Sequence, residues 1–337
     1  MRSSLASRAV GVAVAAALLQ LIMIIAFSWP AARVAPRDVP IVVTGPQAAA
    51  VAERLDRERP GAFDVRTERD EAAARTALTD RKAYGAVVTT PSGPKILTAS
   101  AASPVIAQQL SALAQHLNPP ASPGSAPAQA GNSSAPLVED VVGADSDDPR
   151  GAGFGALALP LIMSGLAAAV LLTFAIPAAA WRAAGVVLFA ALGGFGVAGI
   201  AQGWLSLLPG SYLAVAGVMS LTILAVTGTV VGLAATVGRA GLGLGALTLL
   251  LIGNPLSAAS SAPEMLPQPW GEIGQFLPPG AAVTLLRSTA FFDGAGAAGA
   301  AGILAAWAAA GFVLLAIGGL RGRARDETVP DREPALA

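Results

Sequence analysis

The side chains able to do chemistry are scarce in this chain and gather in two places. Residues 254–293, NPLSAASSAPEMLPQPWGEIGQFLPPGAAVTLLRSTAFFD, hold Glu264, Glu272, Arg287 and Asp293. Residues 53–71 interleave Glu53, Asp56, Glu58, Glu68, Asp70 and Glu71 with Arg54, Arg57, Arg59, Arg66 and Arg69. Two carboxylates in one cleft can serve as acid and base, but the second group has the mixed sign of a solvated helix face. There is no cysteine and one histidine, His116. Disulfides, thiolate or histidine metal sites and cysteine nucleophiles therefore lack material. No Gly-x-x-x-x-Gly-Lys-Ser/Thr occurs, and Gly241-Leu-Gly-Leu-Gly245 has no strand before it and no Lys-Ser/Thr after it. The chain is not expected to be an enzyme or to hold a cofactor or metal; ATP would enter only through a separate partner subunit. With 21 basic and 21 acidic residues, no nucleic-acid partner is expected.

The elements that must position these residues are set by solvent. From Gly151 to Leu320 the 170 residues carry six charges, Arg182, Arg239, Glu264, Glu272, Arg287 and Asp293. So little charge cannot clothe a water-soluble surface, so lipid is the solvent and a partner. A second apolar run, Ala9 to Phe27, lies alone near the N-terminus, with Trp29 as an interface anchor. About 20 apolar residues cross a bilayer, which predicts six spans: residues 9–29, then Phe154 to Ile176, Ala183 to Gln202, Tyr212 to Val237, Leu242 to Gly253 with its flanks, and Gly294 to Gly319. A cleaved signal peptide is the alternative for the first run.

Basic residues in short loops are held in the cytoplasm. Arg2, Arg8, Arg182, Arg239, Arg321, Arg323 and Arg325 then place both termini inside, in a multi-pass plasma-membrane protein. The fold class is an α-helical polytopic membrane protein of six transmembrane helices, with a small α/β extracytoplasmic domain between helices 1 and 2. Its divisions are residues 1–8 (cytoplasmic N-terminus), 9–29 (first span), 30–118 (α/β domain), 119–150 (flexible Pro/Ala/Ser linker), 151–320 (five-helix membrane domain) and 321–337 (cytoplasmic tail).

Within the exported domain, Ile41 to Thr44 predicts a strand, Pro46 to Arg57 a helix, and Phe63 with Val65 another strand. Asp70 caps a helix to Asp80, Tyr84 to Thr89 and Lys95 to Thr98 pair across a turn, and Ser103-Pro104 opens a helix with Ile106, Leu110, Leu113 and Leu117 on one face. Asn132-Ser133-Ser134 fits a glycosylation sequon but is more simply the composition of a Ser-rich linker. In the membrane domain, Gly228 and Gly232, and Gly241 and Gly245, stand four apart as helix-packing positions, either within one subunit or at a homodimer seam.

Residues 254–293 are too polar and Pro-broken for a full span and too apolar for a free loop. A re-entrant or interfacial pair of short helices is expected there, either functional or a structural lid, with Trp270 and Phe276 at headgroup depth. Asn254, Pro255, Glu264, Trp270, Glu272, Pro278, Pro279, Arg287 and Asp293 are its candidate transport-path or outer-loop residues. Arg287 is expected to neutralise Glu264, Glu272 or Asp293, because a lone charge near hydrocarbon is expensive.

On these features the chain resembles the membrane subunits of type-2 ABC exporters, particularly the actinobacterial group related to the phage-infection protein. The resemblance rests on Asn254-Pro255-Leu256-Ser257, Ala262-Pro263-Glu264-Met265-Leu266-Pro267, Leu277-Pro278-Pro279-Gly280, Leu286-Arg287-Ser288 and Asp147-Asp148-Pro149-Arg150-Gly151. It implies a permease that moves an amphipathic or lipid-like substrate outward with a separate ABC ATPase. Such permeases present cytoplasmic helices to the ATPase; here these shrink to Met1 to Arg8 and Pro177 to Arg182. The rival reading is a non-transporting scaffold or envelope receptor whose exported domain binds a partner.

Overall fold

The computed structural model describes residues 5–91, 93–117 and 137–327. It is mostly helical, and five helices are long and apolar enough to cross a bilayer, the make-up of an α-helical membrane protein. The first, α1 (Leu5–Ala32), is apolar on every side and buries none of its apolar window within the molecule. It leads into a head built on a mixed five-stranded sheet.

The head alternates β1 (Val39–Thr44), α2 (Ala48–Glu58), β2 (Phe63–Thr67), α3 (Glu71–Thr79), β3 (Gly85–Thr90), β4 (Gly93–Thr98), α4 (Pro104–Leu117) and β5 (Leu137–Asp140). The sheet order is β2-β1-β3-β4-β5, parallel except for the β3–β4 hairpin. Asp70 starts α3 by accepting from the Ala73 amide at 2.8 Å, a cap that contributes about 1 kcal/mol. Alternation along β1 sends Val39, Ile41 and Val43 to one face with Leu55, Ile106 and Leu110, and Val42 to the other with Ala74 and Leu78.

One expected boundary moves. Residues 119–150 were expected to be linker throughout, yet Leu137–Asp140 pairs in register with Lys95 to Thr98, and Val141 and Val142 pack on the second head core. The strand is held from its side chains: Glu139 meets both Arg75 and Lys95 at 2.6 and 2.9 Å, and these also meet Glu71. Residues 118–136, including the sequon, lie outside the described residues, as do residues 1–4 and 328–337 of the expected cytoplasmic ends.

The membrane domain follows as α5 (Ala152–Ala156), α6 (Ala158–Ala175), α7 (Ala179–Ala198), α8 (Tyr212–Val237), α9 (Arg239–Ala246), α10 (Trp270–Gln275), α11 (Pro278–Phe291) and α12 (Ala297–Glu327). Helix α8 is the axle: 72% of its apolar window is buried, against α6, α7, α9, α11 and α12. Backbone proximity is set by glycine. A Cβ at Gly232 would strike the Gly311 carbonyl, one at Gly311 would strike Gly228, and one at Gly245 would meet Val230 at 2.8 Å. Gly241 likewise abuts Leu233. All four sequence-noted glycines thus face helices of their own chain.

Five helices among the described residues reach the length and apolarity of a span, where six were expected; Arg239 to Gly253, α9 continued by a π-helical stretch, is a shorter apolar helix. It stops because Asn254 and Pro255 enter a turn closed by the Ser257 amide and hydroxyl on the Asn254 carbonyl, at 3.2 and 2.7 Å. Pro279 packs on Gly253, where an added Cβ would meet its ring at 2.8 Å.

The α6–α7 turn, the end of α8 and the end of α12 lie together at the end of the bundle far from the head, bringing Arg182 close to Leu320 and Gly322 and placing Arg239 over the Phe174 ring at 5.7 Å.

Candidate functional site

Residues 254–292 form a hairpin that leaves Gly253, rises to the head, dips back and rises again. At its first crest Ala262 and Met265 are buried in the head core with Ile106 and Leu110. Backbone bonds fix that crest to the chain leaving α1: Ala35 N to Met265 O and Arg37 N to Glu264 O, both 3.0 Å, with Arg37 Nη1 also reaching Met265 O. Helix α10 then descends, its Trp270 edge-on to Trp29 at 6.3 Å.

The lower bend is the Phe276 carbonyl, which accepts from Trp307 Nε1 at 2.9 Å. Trp307 is ten residues into α12, so this bend sits about 15 Å along that helix. Pro278 and Pro279 are buried there and open α11, where their fixed φ suits a first turn that has no amide partners to lose. Irregular backbone inside a bilayer survives only when packed on protein or lining a wet cavity. Helix α11 returns to a second crest, where Phe292 is buried in the other head core beside Leu78 and Ala101.

A half-buried polar junction lies between the crests. Tyr84 of the head donates to Glu264 Oε2 at 2.8 Å. Arg81 Nη1 donates to the Thr284 carbonyl at 3.1 Å and to the Ser288 hydroxyl, and its guanidinium lies over Phe292 at 5.3 Å. Burial pulls the Arg81 pKa below the usual range, while Tyr84 and Glu264 act the other way. Burial also pushes the Tyr84 phenol well above its ordinary value, Glu264 adding to the effect.

Arg287 does not do what its sequence position suggested. It is 4% exposed, donates to the Ala259 carbonyl at 3.1 Å and lies 4.8 Å from the Phe154 ring centre. None of the ion pairs among the described residues includes it. The acids went elsewhere: Glu264 accepts from Tyr84, while Glu272 and Asp293 are exposed, Asp293 in a left-handed conformation with φ 49°. A ring face and a carbonyl replace the expected carboxylate.

Two cavities flank Arg287. Below it, a small apolar cleft of about 30 Å³ runs between α6, α8 and α11, lined by Phe154, Leu161, Met219, Val226, Pro279 and Leu286. Above it, a small pocket of about 20 Å³ is lined by Arg287, Ser100, Asp145, Asp148 and Phe154. Asp148 also caps the start of α5, accepting from the Phe154 amide at 2.7 Å. Phe154 is the wall shared by both.

Of the sequence-noted loop residues, Glu264, Pro278, Pro279 and Arg287 are thus brought together with the head or the cleft. Trp270, Glu272 and Asp293 stay at the rim, and Asn254 with Pro255 forms the turn below. Arg81 and Tyr84 were not singled out. Nothing in their neighbourhood marks them, because their partners lie some 200 residues away and meet them only in the fold. Among the described residues no cluster of three or more His, Cys, Asp or Glu could hold a metal. Comparison with protein-family models, with curated proteins and with solved structures finds no match to this chain.

Proposed function

We propose that the chain is the membrane-spanning permease subunit of a type-2 ABC exporter, moving an amphipathic or lipid-like substrate outward across the plasma membrane with a separate ATPase. The observation that carries this reading is the stacking of a polar pocket, holding Arg287, on an apolar cleft, with Phe154 common to both. An amphipath has the same two halves in the same order. The bend of the hairpin beside α12 supports the reading, since broken helices within a membrane bundle suit a pathway.

The head faces the outside and both termini face the cytoplasm. Supporting this reading, Arg182, Arg239 and Arg321 share the bundle end far from the head, and basic residues in short loops are held in the cytoplasm. The α/β head is accordingly extracytoplasmic, and residues 239–253 with the hairpin replace the sixth span. Since the chain has no cysteine, single Arg69→Cys and Arg321→Cys variants test the orientation: an impermeant thiol reagent added to intact cells should label the first and spare the second. The opposite pattern inverts the topology.

The function is tested by purifying the tagged chain under mild detergent and reconstituting what accompanies it. An ATPase subunit should co-purify, and vesicles should move a fluorescent lysolipid in an ATP-dependent way that Ala158→Phe, filling the cleft, abolishes. Purification of the chain without any ATPase, from cells where it is active, removes the reading. The non-transporting receptor is favoured by one observation, the seating of both hairpin crests in the head cores, which suits a head held as a fixed platform. An envelope partner in place of an ATPase in that purification would decide for it.

A further inference from the structure

A roomy cavity lies away from the head. It lies at the arginine-bearing end, encloses about 730 Å³ between the α6–α7 turn, α8 and α12, and is lined by Ala179, Ala183, Ala235, Phe312, Ala316 and Gly319, with Arg182 at its rim. That volume is within the roughly 300–1,000 Å³ of ordinary ligand sites. Its wall is mostly apolar, alanines together with Phe312, Leu315 and Leu320, and Ala316 and Ala180 stand exposed in it, uncovered by any described helix. In a bilayer such a groove is filled by something apolar.

Charge says what that something carries. Among the residues lining the groove the one charge is Arg182 and none is acidic, and Arg321 stands between the lining residues Leu320 and Gly322. Arg182 is fixed: its Nε and Nη2 donate to the Ile176 and Thr173 carbonyls at the end of α6, which holds the guanidinium at the groove mouth with Nη1 uncommitted. Basic pockets between helices on the cytoplasmic side are where anionic headgroups bind. We propose that this groove is a binding site for an anionic phospholipid of the cytoplasmic leaflet, one acyl chain lying along Ala316 and Gly319 and the phosphate at Arg182. The inference rests on the membrane orientation above and is independent of the transport reading.

Native mass spectrometry of the full chain in detergent tests it, with phosphatidylglycerol, phosphatidylcholine or inorganic phosphate added. Phosphatidylglycerol should be retained over phosphatidylcholine by about fivefold or more, the selectivity that one arginine near a headgroup supplies. Inorganic phosphate alone should leave no adduct. Ala316→Trp fills the groove from an exposed position and should remove the lipid adduct without lowering the melting temperature. Arg182→Lys should keep the selectivity and Arg182→Gln should lose it; if Arg182→Gln fails to fold because α6 loses its cap, Ala316→Trp and Arg182→Lys still decide. Equal retention of the two lipids by the wild type, or retention unaffected by Ala316→Trp, overturns the site, as does a protein partner displacing bound phosphatidylglycerol from the groove.

Discussion

The Tyr84 hydroxyl and the Glu264 carboxylate meet at 2.8 Å across 180 residues of sequence, one on the head sheet and one on the first crest of the hairpin. Removing the phenol strands a carboxylate in a half-buried place, which costs about 1.5–3 kcal/mol for a bond to a charged group. Tyr84→Phe should therefore lower thermal stability, and a cycle with Glu264→Gln should show strong coupling. Additivity within about 0.5 kcal/mol would mean the pair only happens to be close.

Arg287 should couple to an aromatic ring and not to an acid. A cycle of Arg287→Met with Phe154→Leu, read by melting in detergent, is expected to give about 0.5–2 kcal/mol, the range of a desolvated cation–π contact. Cycles with Glu272→Gln and Asp293→Asn should be additive. Coupling to either acid above the additivity error would restore the ion pair the sequence suggested.

Glycines in this bundle divide by what stands opposite them. Gly311→Ala forces a methyl onto the Gly228 backbone and should cost about 1–3 kcal/mol, whereas Gly243→Ala enters open space and should be neutral or stabilising. Equal tolerance of the two would show that α8 and α12 can part freely.

The head should lose its fifth strand first in acid. Hydrogen bonds from Arg75 and then Lys95 hold the Glu139 pKa down to about 2 from an ordinary 4.5. A depressed folded pKa contributes stability that is full above pH 4.5 and is lost as pH falls toward 2. Amide exchange of Leu137–Asp140 should accelerate through that window, and Glu139→Gln should flatten the response. Both side chains are partly solvent-exposed, so added salt should shrink the effect.

Local chemistry made some of this legible in the sequence. Asp70 ahead of Glu71 and an alanine-rich run carries its own helix-start signal, and Tyr212 to Val237 is bounded by a Pro-Gly-Ser turn and by Gly238, so these limits are written in the chain. The short helix at Arg239 was harder, because Leu242 to Gly253 is as apolar as a span; its end is decided by the Asn254 turn and by Pro279 arriving against Gly253 from far along the chain. Arg287 shows the same limit. Its charge was visible and the three acids near it in sequence were visible, but Phe154 and Ala259 become its neighbours only when α5, the hairpin and α11 pack.

Met265 and Phe292 complete the two head cores from beyond the fourth long helix, so the head is finished last although its strands are made first. In the orientation proposed above, residues 39–140 reach the outside during synthesis while both plugs are still unmade, which leaves two open apolar clefts on the sheet. A chaperone or the bilayer surface must shield them until the C-terminal third is inserted, and large nascent chains with such exposed surface are prone to aggregate. Secreted head alone should bind a hydrophobic dye that the full chain excludes.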